Sequence, residues 1–194
     1  MYGFESLTNG IIANWPYWFV SIVLVVAAVI DGVQLKVPNW ITFPMIITGW
    51  IYSAVAYAMA GDAWWAGLGW SLAGTAVGLL LLLPAYAIGG MGAGDVKLLA
   101  GVGAWTYVVT TFYAFCLSAV IGAAIAVIMV LARRGVRKHS MQFMMILNEI
   151  TEVRNPETLA ALAAKRKSQM LLLPYGIPIA IGTIAYFAWV GLLV

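Results

Sequence analysis

Charge is scarce in this chain. Only 9% of its 194 residues are charged, against 64% that are hydrophobic. A soluble domain carries about 25% charged residues, and no water-soluble fold of this size could bury so much apolar surface. Lipid is therefore the expected solvent. Cysteine is nearly absent: the single Cys116 lies in an apolar run, which excludes an internal disulfide and a thiolate metal cage and leaves a small buried hydrophobe. Histidine is single as well. His139 stands alone in a basic stretch, and a metal site needs several converging ligands, so neither metal nor cofactor is expected. The first ten residues hold no basic group, so a cleaved signal peptide is not expected and the first apolar segment is read as a retained membrane helix. The pI of about 9.1 does not point to nucleic acid, because the few basic residues follow a membrane topology instead.

What is present is long apolar runs, such as Ala73–Leu83. A membrane barrel alternates apolar and polar residues, so the fold class is all-α, a polytopic membrane helical bundle. A full crossing needs about 20 apolar residues. About six membrane helices are read, near 12–31, 40–60, 64–86, 95–105, 107–132 and 172–193, within one membrane-embedded domain covering 1–194. The fourth is short, and Trp105–Thr106–Tyr107 is read as the turn that separates it from the fifth. Tryptophans and tyrosines at Trp15, Tyr17, Trp18, Trp64, Trp65, Trp105 and Tyr107 read as aromatic belts at headgroup level.

Threading six helices with the N-terminus outside places Lys36, Lys97 and all eight remaining Lys and Arg residues, from Arg133 to Lys167, on one side. By the positive-inside rule that side is the cytoplasm. A single crossing over 95–132 would put the large basic loop opposite Lys36 and Lys97, so the split into two helices is favoured. The 133–171 loop is the one substantial soluble insertion. Phe143, Met144, Leu147 and Ile150 recur at helical spacing, and Asn155-Pro156-Glu157 reads as a helix start. A cytoplasmic helical hairpin on the membrane surface is expected. A surface hairpin peculiar to this lineage is preferred over a platform for substrate.

Ionisable residues bordering membrane helices are costly and mark function. Two stand out, Asp31 and Asp95. Two helix crossings separate them, so both lie at similar depth on the same side; topology alone does not make them lateral neighbours. Before Asp95 runs Gly89-Gly90-Met91-Gly92-Ala93-Gly94, four glycines in six residues. Irregular backbone at membrane depth is tolerated where it is buried in protein or lines a wet cavity. A nucleotide loop is excluded, because an aspartate there would repel phosphate.

Gly92-Ala93-Gly94-Asp95-Val96-Lys97-Leu98 resembles the GxGD-x-K-L motif of the type IV prepilin peptidases. Asp31 followed by Val37-Pro38-Asn39 resembles that family's first aspartate and its Pro-Asp/Asn turn, and Pro174-Tyr175-Gly176-Ile177-Pro178 resembles its entry to the last helix. The resemblance covers nearly the whole chain in the right order. It implies an aspartyl endopeptidase of the inner membrane, with Asp31 and Asp95 catalytic. Its substrates would be prepilin or pseudopilin-like proteins, cut at the cytoplasmic face just before their apolar helix. The longer members of that family add a domain with paired Cys-x-x-Cys motifs and also N-methylate the product; this chain resembles the short form, so peptidase activity without methyl transfer is expected.

Gly92 and Gly94 are read as shaping the site, Pro38 as shaping the loop and Asn39 as capping the second helix. Lys97 is two residues past Asp95, and positions i and i+2 do not face each other on a helix. It is left between snorkelling to headgroups and contact with substrate. Three other readings stand beside this one. An ion-coupled transporter would carry its acids at the midplane. A non-catalytic pilus assembly factor would bind pilins without cutting. A signal-peptide-peptidase type of protease would have a tyrosine before its first aspartate, where this chain has Ile30.

Overall fold

The computed structural model describes residues 14–87, 90–132 and 174–193, and every regular element among them is helical. The helices are α1 (Trp15–Gln34), α2 (Asn39–Met59), α3 (Trp64–Ala87), α4 (Ala93–Ala132) and α5 (Gly176–Trp189). The first three are each long and apolar enough to cross a membrane, and so is α4. The expected hairpin over 133–171 lies outside the described residues.

Helix α1 opens with Pro16 in its first turn, where the missing N–H costs nothing. It ends one turn later than expected: the Leu35 amide bonds the Asp31 carbonyl at 2.8 Å and Leu35 itself turns left-handed, at φ 54. Pro38 then holds extended backbone and Asn39 begins α2. Gly61, at φ 85, closes the tight turn into α3.

Helix α4 is two helices. Tyr107 departs from helical geometry at φ 61, ψ −172. Run straight, its 40 residues would reach about 60 Å, twice the hydrocarbon thickness of about 30 Å. The break reverses the chain. Met91, just before the first arm, and Phe115, Ser118 and Ala119 on the second arm line one small cavity. The break is held by hydroxyls: Thr111 donates to the Tyr107 carbonyl, and Thr106 and Thr111 lie 3.2 Å apart. Its position is where the sequence suggested a turn.

The first arm of α4, from Ala93 to the break, is the centre of the bundle. Leu98, Leu99, Ala100, Val102 and Ala104 are completely buried. An arm of about 20 Å is too short to span lipid, but one enclosed by protein has no need to. Apolar burial drives helices together little in lipid, so association relies on close packing of small residues and on polar contacts. Gly74 and Gly103 bring the backbones of α3 and α4 together so closely that a Cβ on either would collide with the other's carbonyl. The Ser71 hydroxyl bonds the Ala104 carbonyl, and the Trp50 indole bonds Thr75 Oγ1 at 3.0 Å.

One end of the bundle carries an aromatic cluster. Trp105 stacks on Tyr52, meets Trp15 and Phe19, and donates its indole N–H to the Met45 carbonyl. Trp105 is buried, so it packs within protein. Tyr17 meets Phe187 at 5.2 Å, which runs α5 antiparallel to α1. From the Phe19–Trp105 contact, Asp31 lies roughly 18 Å further along α1 and Asp95 roughly 15 Å back along α4, at 1.5 Å per residue. Both acids thus sit at similar depth near the opposite end.

Candidate active site

Asp31 and Asp95 are both buried, at 2% and 5% exposure. Each is held by the N-terminus of a helix, where free N–H groups and the helix dipole favour negative charge.

Asp95 is held by its own helix. Gly92 precedes the first helical residue, Ala93, and Asp95 is the third. The Gly92 amide donates to Asp95 Oδ2 at 3.1 Å, and the Asp95 amide donates back to the Gly92 carbonyl at 3.2 Å. The first bond is the acid's half of a capping box, with Asp95 at the third helical position; the second is an ordinary backbone turn, since Gly92 has no side chain to cap with. The spacing of glycine and aspartate in the motif therefore has a local physical cause. Gly94 serves differently: a Cβ there would lie 2.5 Å from the Val37 carbonyl oxygen. The absent side chain lets the α1–α2 loop rest on the turn that carries Asp95.

Asp31 is held by a different helix. The Gly176 amide, the first of α5, donates to Asp31 Oδ2 at 2.8 Å. A Cβ on Gly176 would sit 2.9 Å from that oxygen. Met91, in the glycine-rich turn just before Asp95, and Tyr175 line one small cavity. The turn that carries Asp95 is therefore close to the Tyr175–Gly176 segment that holds Asp31.

The remaining sequence candidates lie around this pair. Pro38 caps α2 with extended backbone, and no side-chain cap bond is made there. Asn39 was expected to cap α2; it is instead the first helical residue, and its Oδ1 accepts a hydrogen bond from Lys97 Nζ at 3.0 Å. The Lys97 ammonium also lies 4.6 Å from the centre of the Phe43 ring, a cation–π distance. Lys97 thus ties the first turn of α4 to the start of α2. Among the described residues, no group of three or more His, Cys, Asp or Glu could hold a metal ion.

Sequence reasoning named the Pro174–Pro178 segment but gave it no chemical part. The Gly176 amide is a backbone donor and leaves no side-chain signature. The signal available was a glycine between two prolines at the start of an apolar helix.

No curated protein and no solved structure matches the chain. The family model of the type IV leader peptidases does match, over residues 18–127. That stretch includes Asp31, Gly92, Gly94 and Asp95 and more than half of the chain. The chain belongs to the type IV leader peptidase family.

Proposed function

We propose that this protein is a membrane aspartyl endopeptidase that removes the leader from prepilin or pseudopilin-like proteins, at the cytoplasmic face of the inner membrane. The observation that carries the reading is the pair of buried carboxylates, Asp31 and Asp95, at one depth, each accepting a glycine amide at the start of a helix. Family membership supports the peptidase activity in general.

The chemistry follows from the pair. Two adjacent carboxyls do not readily both ionise, so they share one proton. The ionised member removes a proton from water as that water attacks the scissile carbonyl. The protonated member gives its proton to the carbonyl oxygen, forming a neutral tetrahedral diol. Collapse of the diol breaks the C–N bond as one carboxyl gives its proton to the leaving amine and the other, now a carboxylate, takes a proton from a diol hydroxyl, which restores the shared proton of the pair. Gly176 N–H and Gly92 N–H hold the two side chains in place during these transfers. A substrate with a polar leader and an apolar helix places its cleavage point where the acids lie, near one end of the bundle.

The test is cleavage of a co-expressed prepilin-like substrate by the wild type, Asp31→Asn and Asp95→Asn, read as a mass shift on a gel. Cleavage by the wild type and by neither variant, with all three inserted in the membrane, is the expected result. Cleavage by either variant removes that residue from the catalytic pair.

A further inference from the structure

Helix α1 rests on α5, and the two leave an apolar groove of about 630 Å³ between them. The groove opens on the outside of the bundle, since Val29 and Val33 on its wall are well exposed. The two helices run antiparallel, with Asp31 against Gly176 at one end and Tyr17 against Phe187 at the other. At the acid-bearing end the wall is Gly32 and Ile177. Each is the chain neighbour of a partner in the Asp31–Gly176 bond. From there the groove follows α1 to Val25 and α5 to Ala188, roughly 10 Å and 16 Å at 1.5 Å per residue. It therefore begins beside Asp31 and runs into the membrane-embedded part of the bundle.

Its walls are low. Ala28 and Gly32 lie one turn apart on α1, and Ala185 and Ala188 one turn apart on α5. Small residues so placed let another helix approach closely in lipid. Gly32 is not demanded by the chain's own packing. Gly49, Gly74, Gly78 and Gly182 each face a neighbouring helix so closely that a Cβ would collide with it. A Cβ on Gly32 would touch only Ile177 Cδ1, at 3.5 Å, an ordinary contact. Glycine within a helix is less stable than alanine, so its place on this wall is explained by something outside the chain that lies against it.

We propose that the groove between α1 and α5 seats the apolar helix of the uncut substrate. The inference rests on the peptidase reading above. A helix lying in the groove, with its leader at the acid-bearing end, has its scissile bond at the level of Asp31, just past Gly32 and Ile177. Every side chain on the wall is apolar, so a charged residue on that helix would be desolvated there without a partner. The groove thus suits the part of the substrate that follows the cut and not the polar leader that precedes it.

Two measurements on the full chain test this. In the first, a Cys116→Ala, Asp95→Asn protein, which leaves the substrate uncut, carries a single cysteine in place of Val25, Ile181, Val26 or Ile51. A prepilin-like substrate carries one cysteine past the cut, about 10 Å along its helix. Val25 and Ile181 are on the groove wall, Val26 is on the face of α1 toward α2, and Ile51 is exposed on α2. Disulfide formation with the substrate from Val25→Cys and Ile181→Cys, and little from the other two, is expected. Equal or greater yield from Val26→Cys or Ile51→Cys overturns the groove. So does a Val25→Cys product that joins two copies of the enzyme in place of enzyme and substrate. The second measurement is kcat/KM for Ala28→Leu and Ala185→Leu, which fill the groove from its two sides, and for Ala123→Leu on an exposed face of the second arm of α4. A loss of about tenfold or more is expected in the two filled variants, with Ala123→Leu near the wild type. Wild-type rates in both filled variants overturn the proposal and leave the groove to lipid. Failure of the wild type to cut overturns the peptidase reading instead, while the cross-links still report where the substrate helix lies.

Discussion

The backbone amide of Gly176 and the side chain of Asp31 are joined by a 2.8 Å hydrogen bond across 145 positions of sequence. The bond fastens the last helix to the first at the level of the acids. It also uses a donor that cannot rotate away, since the amide belongs to the opening of α5. The same short segment places Tyr175 beside Met91, in the turn that leads to Asp95. The last helix is thus part of the site, although residues 174–193 lie outside the stretch that the family model matches.

Gly176→Ala tests this fastening. Its Cβ would fall 2.9 Å from Asp31 Oδ2, so either the carboxylate or the helix must shift. A displacement of about 1 Å costs roughly 100-fold in rate, and a loss between 10- and 100-fold in kcat is expected with KM little changed. Normal turnover by an inserted Gly176→Ala protein would show that Asp31 is positioned by something else.

The two motif glycines are expected to fail in different ways. Gly94→Ala drives a methyl into the Val37 carbonyl, a backbone atom that yields only if the loop moves. Overpacking of this kind costs about 1–3 kcal/mol, so a lower unfolding midpoint in detergent is expected along with lost activity. Gly92→Ala meets the Asp95 carboxylate at 3.3 Å and otherwise makes ordinary contact with the Gly94 nitrogen at 3.9 Å. Its midpoint is expected to stay near the wild type while cleavage falls. Equal destabilisation by both would contradict the separate roles given to them.

Lys97 and Asn39 invite a double-mutant cycle. Their 3.0 Å bond joins α4 to α2, and a hydrogen bond to a charged group contributes about 1.5–3 kcal/mol, less where water competes. Lys97→Met and Asn39→Ala are each expected to lower stability by about 1 kcal/mol, and the double variant by little more than either alone. Additive losses would mean that the two side chains work independently, as they would if Lys97 instead met an acidic group of the substrate.

Much of this arrangement could be read from the sequence because polar residues are so few. Asp31 and Asp95 stood out against an apolar background, and the positions of Lys36 and Lys97 set them at one end. The break in α4 was legible at Trp105–Tyr107 because a single crossing over 95–132 would have put the basic loop opposite Lys36 and Lys97. Other features had no such contrast. Trp105 reads like any interfacial tryptophan, and only packing against Tyr52 and Phe19 makes it a core residue. Helix α1 runs through Gly32 to Gln34, where glycine and a following lysine resemble a loop. The Gly176 donor is backbone, which no pattern of side chains records, and Tyr175 is one tyrosine among nine.

The reversal at Tyr107 makes the strongest claim about the membrane and can be tested directly. If α4 were one continuous crossing, Val109 would lie near mid-membrane and a cysteine placed there would be shielded from water. With the chain turning at Tyr107, Val109 lies just past the turn and is well exposed on the bundle surface. Single cysteines at Val109, Asp62 and Lys36, in a Cys116→Ala background, separate the two cases with a membrane-impermeant maleimide. Labelling of Asp62→Cys and Val109→Cys from the outside of intact cells, and of Lys36→Cys only after the membrane is opened, is expected. That pattern places the lysines and both acids on the cytoplasmic side, as the charge distribution requires. An unlabelled Val109→Cys beside a labelled Asp62→Cys would mean that α4 crosses without turning. The Asp95 end and the Ala132 end of α4 would then face opposite compartments, which the cavity shared by Met91, beside the first arm, and Ser118 and Ala119 of the second does not allow.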